Sequence, residues 1–171
     1  MVPKHVAVVD TETTGVEKDC AVCELAAYNE YCGFETLVNP GRPIPPEASA
    51  VHHISNDDVV DAIDETTALQ YLDSHLKHNE VTVLVAHNAG FDQPIIERVI
   101  SGYEWVCTYK CALWLWPDAP SHKNEALCYW LGLGDNGRRF SQGSHSALHD
   151  AKRTYLLLNK MLELTTLGFI S

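Results

Sequence analysis

The hydrophobic pattern changes period along the chain. "HVAVVD" is a short, β-branched, wholly apolar run, the mark of a strand buried on both faces. After the turn "TTGVEKD", the stretches "AVCELAAYNE" and "YCGFETLVNP" predict two more strands. Residues 39–51, "NPGRPIPPEASAV", hold four prolines and predict irregular loop. Ser55-Asn56-Asp57-Asp58 predicts an N-capped turn or short helix. From there the period lengthens. Residues 65–78 place Ala68, Leu69, Leu72 and Leu76 on one helical face. "VTVLVAH" predicts a fourth buried strand, and a helix follows from about Gly90 to Ile100. Pro94 is tolerated best in a first turn, which predicts a helix start just before Asp92. "EWVCT" predicts a last strand, and "YKCALWLW" a helix stopped by Pro117. Asn124 is a candidate cap for "EALCYWLGL", "GDNGRRFSQGS" reads as loop, and a final helix is predicted from about Ser146 to Leu164. Three early strands, then helices alternating with two more strands, predict an α/β fold.

Length and composition narrow this picture. With 171 residues, one domain spanning 1–171 is expected. No apolar run approaches the roughly 18 residues that span a bilayer, so no membrane association is expected. The N-terminus lacks a long apolar run with a small-residue cleavage site, which predicts a cytoplasmic protein. Six cysteines include one pair with zinc-like spacing, Cys20 and Cys23, and no second such pair; reduced, mostly buried thiols are expected. The net charge of −11 argues against non-specific binding to duplex nucleic acid. It leaves room for a nuclease, because carboxylates that bind a divalent metal add to the negative sum.

The candidate chemistry lies in three separated pieces. In "VVDTETTG", Asp10 and Glu12 point to one face of a strand and Thr11 to the other. Two carboxylates so placed would raise one another's pKa, and a divalent cation removes that conflict. Taken alone, the pair favours the plainer reading, two acids at a strand end in solvent. In "VAHNAGFD", a buried strand ends at His87-Asn88, and Asp92 follows at the positive end of a helix. In "SHSALHDA", His145 and Asp150 are five residues apart, about 140° around a single helix. Ser146 as N-cap would leave His145 on the loop and Asp150 in the first turns. His149, beside the acid, reads as a surface or supporting residue.

Together these pieces resemble the DEDDh family of 3′→5′ exonucleases: Asp-x-Glu, then Asp, then His-x4-Asp falls on Asp10, Glu12, Asp92, His145 and Asp150. "NPGRPIPPEASAVHHIS" is similar to the family's Pro-rich loop and His-x-Ile. "WVCTYKCALWLWP" and "NEALCYWLGL" are similar to exonuclease X-like members and, more loosely, to the epsilon proofreading subunit of DNA polymerase. The resemblance covers nearly the whole chain. It implies a ribonuclease H-like fold, with a five-stranded mixed sheet, strand two antiparallel to the rest, and flanking helices. It implies hydrolysis of the terminal 3′ phosphodiester of DNA to release nucleoside 5′-monophosphates. Two divalent cations, Mg²⁺ or Mn²⁺, would be held by Asp10, Glu12, Asp92 and Asp150, with His145 as general base. Contacts to the terminal nucleotide would come from Thr11, Thr13, Gly15, Val16, His52, Asn88 and Phe91, while Glu24 would be structural. Val16 equally fits ordinary loop packing, and Phe91 a core anchor. Two alternatives share this chemistry: an exoribonuclease of the same family, and a polymerase-associated proofreading subunit. The protein partner that the second would need is unknown.

Overall fold

A computed structural model of the chain describes residues 1–133 and 146–168. Six strands form one sheet among these residues: β1 (Val6–Thr13), β2 (Val22–Tyr28), β3 (Gly33–Asn39), β4 (Ile63–Asp64), β5 (Val83–Ala86) and β6 (Glu104–Cys107). Their order is β4-β3-β2-β1-β5-β6. Strand β2 runs antiparallel to both neighbours, while β1, β5 and β6 are mutually parallel. The sequence pattern predicts five strands; the sixth, β4, has two residues and adds in parallel to β3. Two residues are too few to carry an alternation.

The helices are α1 (Pro46–His52), α2 (Asn56–Val59), α3 (Glu65–His78), α4 (Ala89–Ile96), α5 (Thr108–Leu115), α6 (Asn124–Trp130) and α7 (Ala147–Gly168). They cover both faces of the sheet. Ala7 and Val9 pack with Leu69, Leu72 and Leu76 of α3 and Ile95 and Ile96 of α4. Val6 and Val8 pack on the opposite face with Ala151, Tyr155 and Leu158 of α7. This is why the run in β1 is apolar at consecutive positions. Each fully buried leucine of α3 contributes roughly 1.5–3 kcal/mol of transfer free energy. Further along α7, Leu157 and Met161 turn away from the sheet to meet Ala112 of α5 and Leu127 of α6.

Three local expectations are corrected. The proline-rich stretch is not loop throughout, because α1 starts at Pro46 with Pro45 as N-cap residue. Proline at the first helical position loses no hydrogen bond, and "EASAVH" contains no proline to oppose the helix. Pro94 lies inside α4 and not in its first turn. The chain turns into this helix early, through Asn88 in the left-handed conformation (φ 77°), with the Phe91 N–H donating to the Asn88 carbonyl. Asn124 does not cap α6 from outside. It is the first helical residue, and its amide reaches α7 to donate to the Thr154 hydroxyl at 2.8 Å.

Candidate active site

Strand alternation sets the first two carboxylates. Asp10 and Glu12 continue the face that carries Val6 and Val8, so they look toward α7. Asp150 lies in the first turn of that helix. One carboxylate oxygen from each of Asp10, Glu12 and Asp150 lies within 4.8 Å of the others. Asp92 comes from the opposite layer, buried at the start of α4. The Thr11 hydroxyl, on the other face of β1, donates to Asp92 Oδ1 at 2.9 Å. Acids from two helix layers thus meet at the end of β1, beside the end of β5.

The electrostatics record this convergence. Burial holds the Asp10 carboxyl well above its ordinary range, and the charges of Asp92, Asp150 and Glu12 raise it further. Glu12 is pushed up to about 8, first by burial and then by Asp150, Glu24 and Asp92. Asp92 rises to about 7 through burial, against the lowering effect of the Thr11 hydrogen bond. All the donors are carboxylate oxygens, a hard set that suits a Mg²⁺-, Mn²⁺- or Ca²⁺-like ion. A divalent cation would offset the repulsion, so the residues fit one.

A stability effect follows from these shifts. The unfolded chain releases the Glu12 proton near the ordinary value of 4.5, whereas the folded protein keeps it until about 8. Between those values the folded state binds more protons, so metal-free stability falls as pH rises. A divalent cation at about 100 times its Kd adds roughly 2.7 kcal/mol. In a chain of this size that raises Tm by roughly 5–10 °C. The expected rise is larger at pH 8 than at pH 5, where protons compete for the same oxygens. Thermal melts at both pH values, with and without Mn²⁺, check this; a Tm unmoved by Mn²⁺ at pH 8 contradicts it.

Other partners of the acids leave little trace in the sequence. Arg153, 2% exposed, donates from Nη1 to Asp150 Oδ1 and pairs with Glu125 at 3.7 Å. The Asp-x-x-Arg spacing on one helix is the signal that could have found the first contact. Glu24 lies opposite Glu12 in the β1–β2 ladder, and its Oε2 accepts the Ala147 N–H at 2.7 Å. The register shifts next to it: Glu12 faces Glu24 while Thr13 faces Val22, which leaves Cys23 as the extra residue of a bulge. His87 bridges the Thr108 hydroxyl at 3.0 Å and the His122 carbonyl at 2.8 Å, tying the loop after α5 to the end of β5.

A cavity of about 480 Å³ opens beside Glu12, between Gly15 and Val16 of the loop after β1, Val51 and His52 of α1, and Phe91 of α4. Val16 is 84% exposed and Val51 53%. Phe91 both packs on the core and lines this cavity. His52 is buried, with Nδ1 accepting the Ile54 N–H at 3.1 Å, which puts the proton of a neutral ring on Nε2. Thr13 donates to the Gly15 carbonyl at 2.6 Å and so shapes the loop. A Cβ at Gly15 would meet only the flexible Glu17 carboxylate. The Asn88 side chain makes no capping bond to α4. His145 lies outside the described residues. Ser146, the residue before α7, accepts the His149 N–H through its hydroxyl at 3.3 Å, as expected of an N-cap.

A mixed sheet flanked by helices, with acids clustered at the end of β1 next to an open cavity, is the arrangement of the ribonuclease H-like fold. The chain belongs to the RNase_T exonuclease family, whose profile matches residues 7–158, and its acidic motifs are those of the DEDDh type. It is 33% identical over 126 residues to Exodeoxyribonuclease 10 of Escherichia coli (strain K12), covering 70% of this chain and 52% of that protein. The chain thus spans about half the length of that relative. DNA polymerase III subunit epsilon of Treponema pallidum is 31% identical over 180 residues, covering 94% of this chain and 79% of that one. Among solved structures, exonuclease X in complex with 5′ overhanging duplex DNA has a TM-score of 0.77 at 28% identity, covering 94% of this chain and 93% of that chain. The nuclease domain of 3′hExo, a DEDDh family member, has the same fold, with a TM-score of 0.71 at 17% identity, covering 92% of this chain and 91% of that chain. No described helix is long and apolar enough to cross a membrane.

Proposed function

We propose that this chain is a single-domain 3′→5′ exodeoxyribonuclease that removes nucleoside 5′-monophosphates from DNA ends. The observation that carries the reading is the meeting of Asp10, Glu12 and Asp150 oxygens within 4.8 Å, with Glu12 also lining a cavity that carries the exposed Val16 and Val51. The similarity to Exodeoxyribonuclease 10, and to an exonuclease X structure bound to DNA, supports DNA as substrate. In the reaction, water adds to the terminal phosphorus, the bond to the 3′-oxygen of the preceding nucleotide breaks, and that oxygen takes up a proton.

Asp10, Glu12, Asp92 and Asp150 would hold two divalent cations, Mg²⁺ or Mn²⁺. When bound, these ions supply Lewis acidity, offsetting charge on the phosphate and making water easier to deprotonate. Asp10 feels both Asp92 and Asp150 and is the natural shared ligand. Thr11 holds the Asp92 carboxylate from the core side, and Arg153 holds that of Asp150. His145 would take the proton of the attacking water on a ring nitrogen, as general base. The exposed Val16 would sit against the terminal base, Phe91 against base or sugar, and His52 Nε2–H would donate toward the nucleotide. The backbone around Gly15 and the Asn88 amide would add polar contacts, and Thr13, through its bond to the Gly15 carbonyl, keeps that loop in shape. Six free thiols fit a reducing, cytoplasmic setting.

Parallel digestion of 3′-labelled single-stranded DNA, duplex DNA and RNA with Mg²⁺ tests the reading. Labelled 5′-mononucleotide is expected, released faster from DNA than from RNA. Faster release from RNA would make the chain an exoribonuclease, and internal fragments would overturn the exonuclease assignment.

A further inference from the structure

Glu24 is a fifth carboxylate beside the four proposed metal ligands. It is 7% exposed and directly opposite Glu12 across the β1–β2 ladder. Another buried acid there adds to the repulsion that Glu12 already feels, and a buried charge persists only where something compensates it. The compensation is visible: Glu24 Oε2 accepts the backbone N–H of Ala147, the first residue of α7, at 2.7 Å. That N–H has no acceptor within its own helix, and the positive end of the helix favours a carboxylate. Ser146 takes a second such N–H, from His149.

Among the described residues, the oxygens that cluster for a cation are those of Asp10, Glu12 and Asp150, and Glu24 is not one of them. Its carboxylate instead ties β2 to the start of α7, beside Glu12 on the neighbouring strand β1 and within one turn of Asp150 on α7. Glu12 is its cross-strand partner, and Asp150 follows Ala147 by three residues, less than one helical turn. The tie spans 123 residues of sequence. An α-helix is stiff over one turn, so displacement of Ala147 carries Asp150 with it. A metal site tolerates only about 0.5 Å of such displacement.

We propose that Glu24 is a positioning residue: by accepting the Ala147 N–H it sets the start of α7 and so holds Asp150 in register with Glu12 for divalent-metal binding. The proposal rests on the metal-dependent reading of the site. It makes reach, not charge, the property that matters.

Two substitutions separate those properties. Glu24→Asp keeps the charge but is one methylene shorter. Glu24→Gln keeps the reach and a carbonyl oxygen for the N–H but loses the charge. Mn²⁺ binding, followed by the electron paramagnetic resonance signal of free Mn²⁺, gives a readout independent of turnover. Steady-state digestion of 3′-labelled single-stranded DNA gives kcat and KM, and far-UV circular dichroism checks folding. Glu24→Asp is expected to weaken Mn²⁺ binding about 10–100-fold, as loss of a group that orients a ligand does, and to lower kcat at saturating metal with KM little changed. Glu24→Gln is expected to stay near wild type in all three. Wild-type Mn²⁺ affinity in Glu24→Asp overturns the proposal, and so does a loss in Glu24→Gln as large as that in Glu24→Asp. If Glu24→Asp fails to fold, Glu24→Gln alone decides: near-wild-type binding supports the tie and about a tenfold loss overturns it. Absence of Mn²⁺ binding by the wild type would overturn the metal reading itself and this proposal with it.

Discussion

Asp10→Asn is expected to lower turnover on 3′-labelled single-stranded DNA by roughly 10³-fold or more, since a metal's charge stabilisation is worth several kcal/mol and each 1.36 kcal/mol is tenfold in rate. Asp10 is the residue to choose because the charges of Asp92 from one helix layer and Asp150 from the other both act on it. Glu12, the other β1 acid, feels Asp150 most and Asp92 least among its neighbouring acids, whereas on Asp10 the Asp92 charge ranks first and Asp150 next. Asparagine keeps the shape, so Val8 and Val9 beneath it stay packed. Fold loss is not expected, and the opposite sign holds for stability. The wild-type carboxyl has its pKa raised by burial and by its neighbours, so without metal its ionisation at neutral pH opposes folding. A neutral amide removes that penalty. The variant should therefore melt at or above the wild-type temperature in EDTA and gain less than wild type when Mn²⁺ is added. Turnover above a tenth of wild type in Mg²⁺ would contradict the metal assignment of this residue.

Much of the fold and the site is local, and what is local can be read from sequence. The apolar run of β1 ending in Asp-x-Glu tells that two acids share a face. The leucine spacing of residues 65–78 delimits α3 as the structure shows it. Ser146 marks the start of α7 through its own hydroxyl. What escapes is what depends on distant partners. The Thr11–Asp92 bond joins residues 81 apart in the chain, and no periodicity announces it. Glu24 looks like an ordinary strand acid until Ala147 is brought against it. The bulge after Glu12 depends on how β2 pairs and has no residue signature of its own. The errors within single elements have a different origin. Proline opposes a helix interior, but Pro45 and Pro46 stand at the cap and first position of α1, where proline is compatible with a helix start. At Pro94 the left-handed turn at Asn88 outweighed the preference for a first-turn proline.

His145→Ala is expected to lower kcat by roughly 10²–10⁴-fold while leaving Mn²⁺ binding largely intact. The two effects separate because the proposed mechanism gives the histidine and the acid five residues later different parts. Asp150 sits within α7, held by Arg153, and shares the oxygen cluster with Asp10 and Glu12. Those contacts are made by other residues, so they are expected to survive the loss of the imidazole. The proton inventory gives a second readout. A base that must be neutral to act imposes an acidic limb on the rate profile near an ordinary histidine pKa of about 6.5. The metal ligands impose their own acidic loss, because protonation of Glu12 competes with a cation, but saturating metal moves that loss to lower pH. At saturating Mn²⁺, the wild-type profile should therefore keep a limb near neutrality that His145→Ala lacks, its residual rate following hydroxide concentration instead. An unchanged kcat would remove His145 from the mechanism. A lowered kcat with the limb intact would assign that titration to another group and leave the imidazole a role in binding the phosphate.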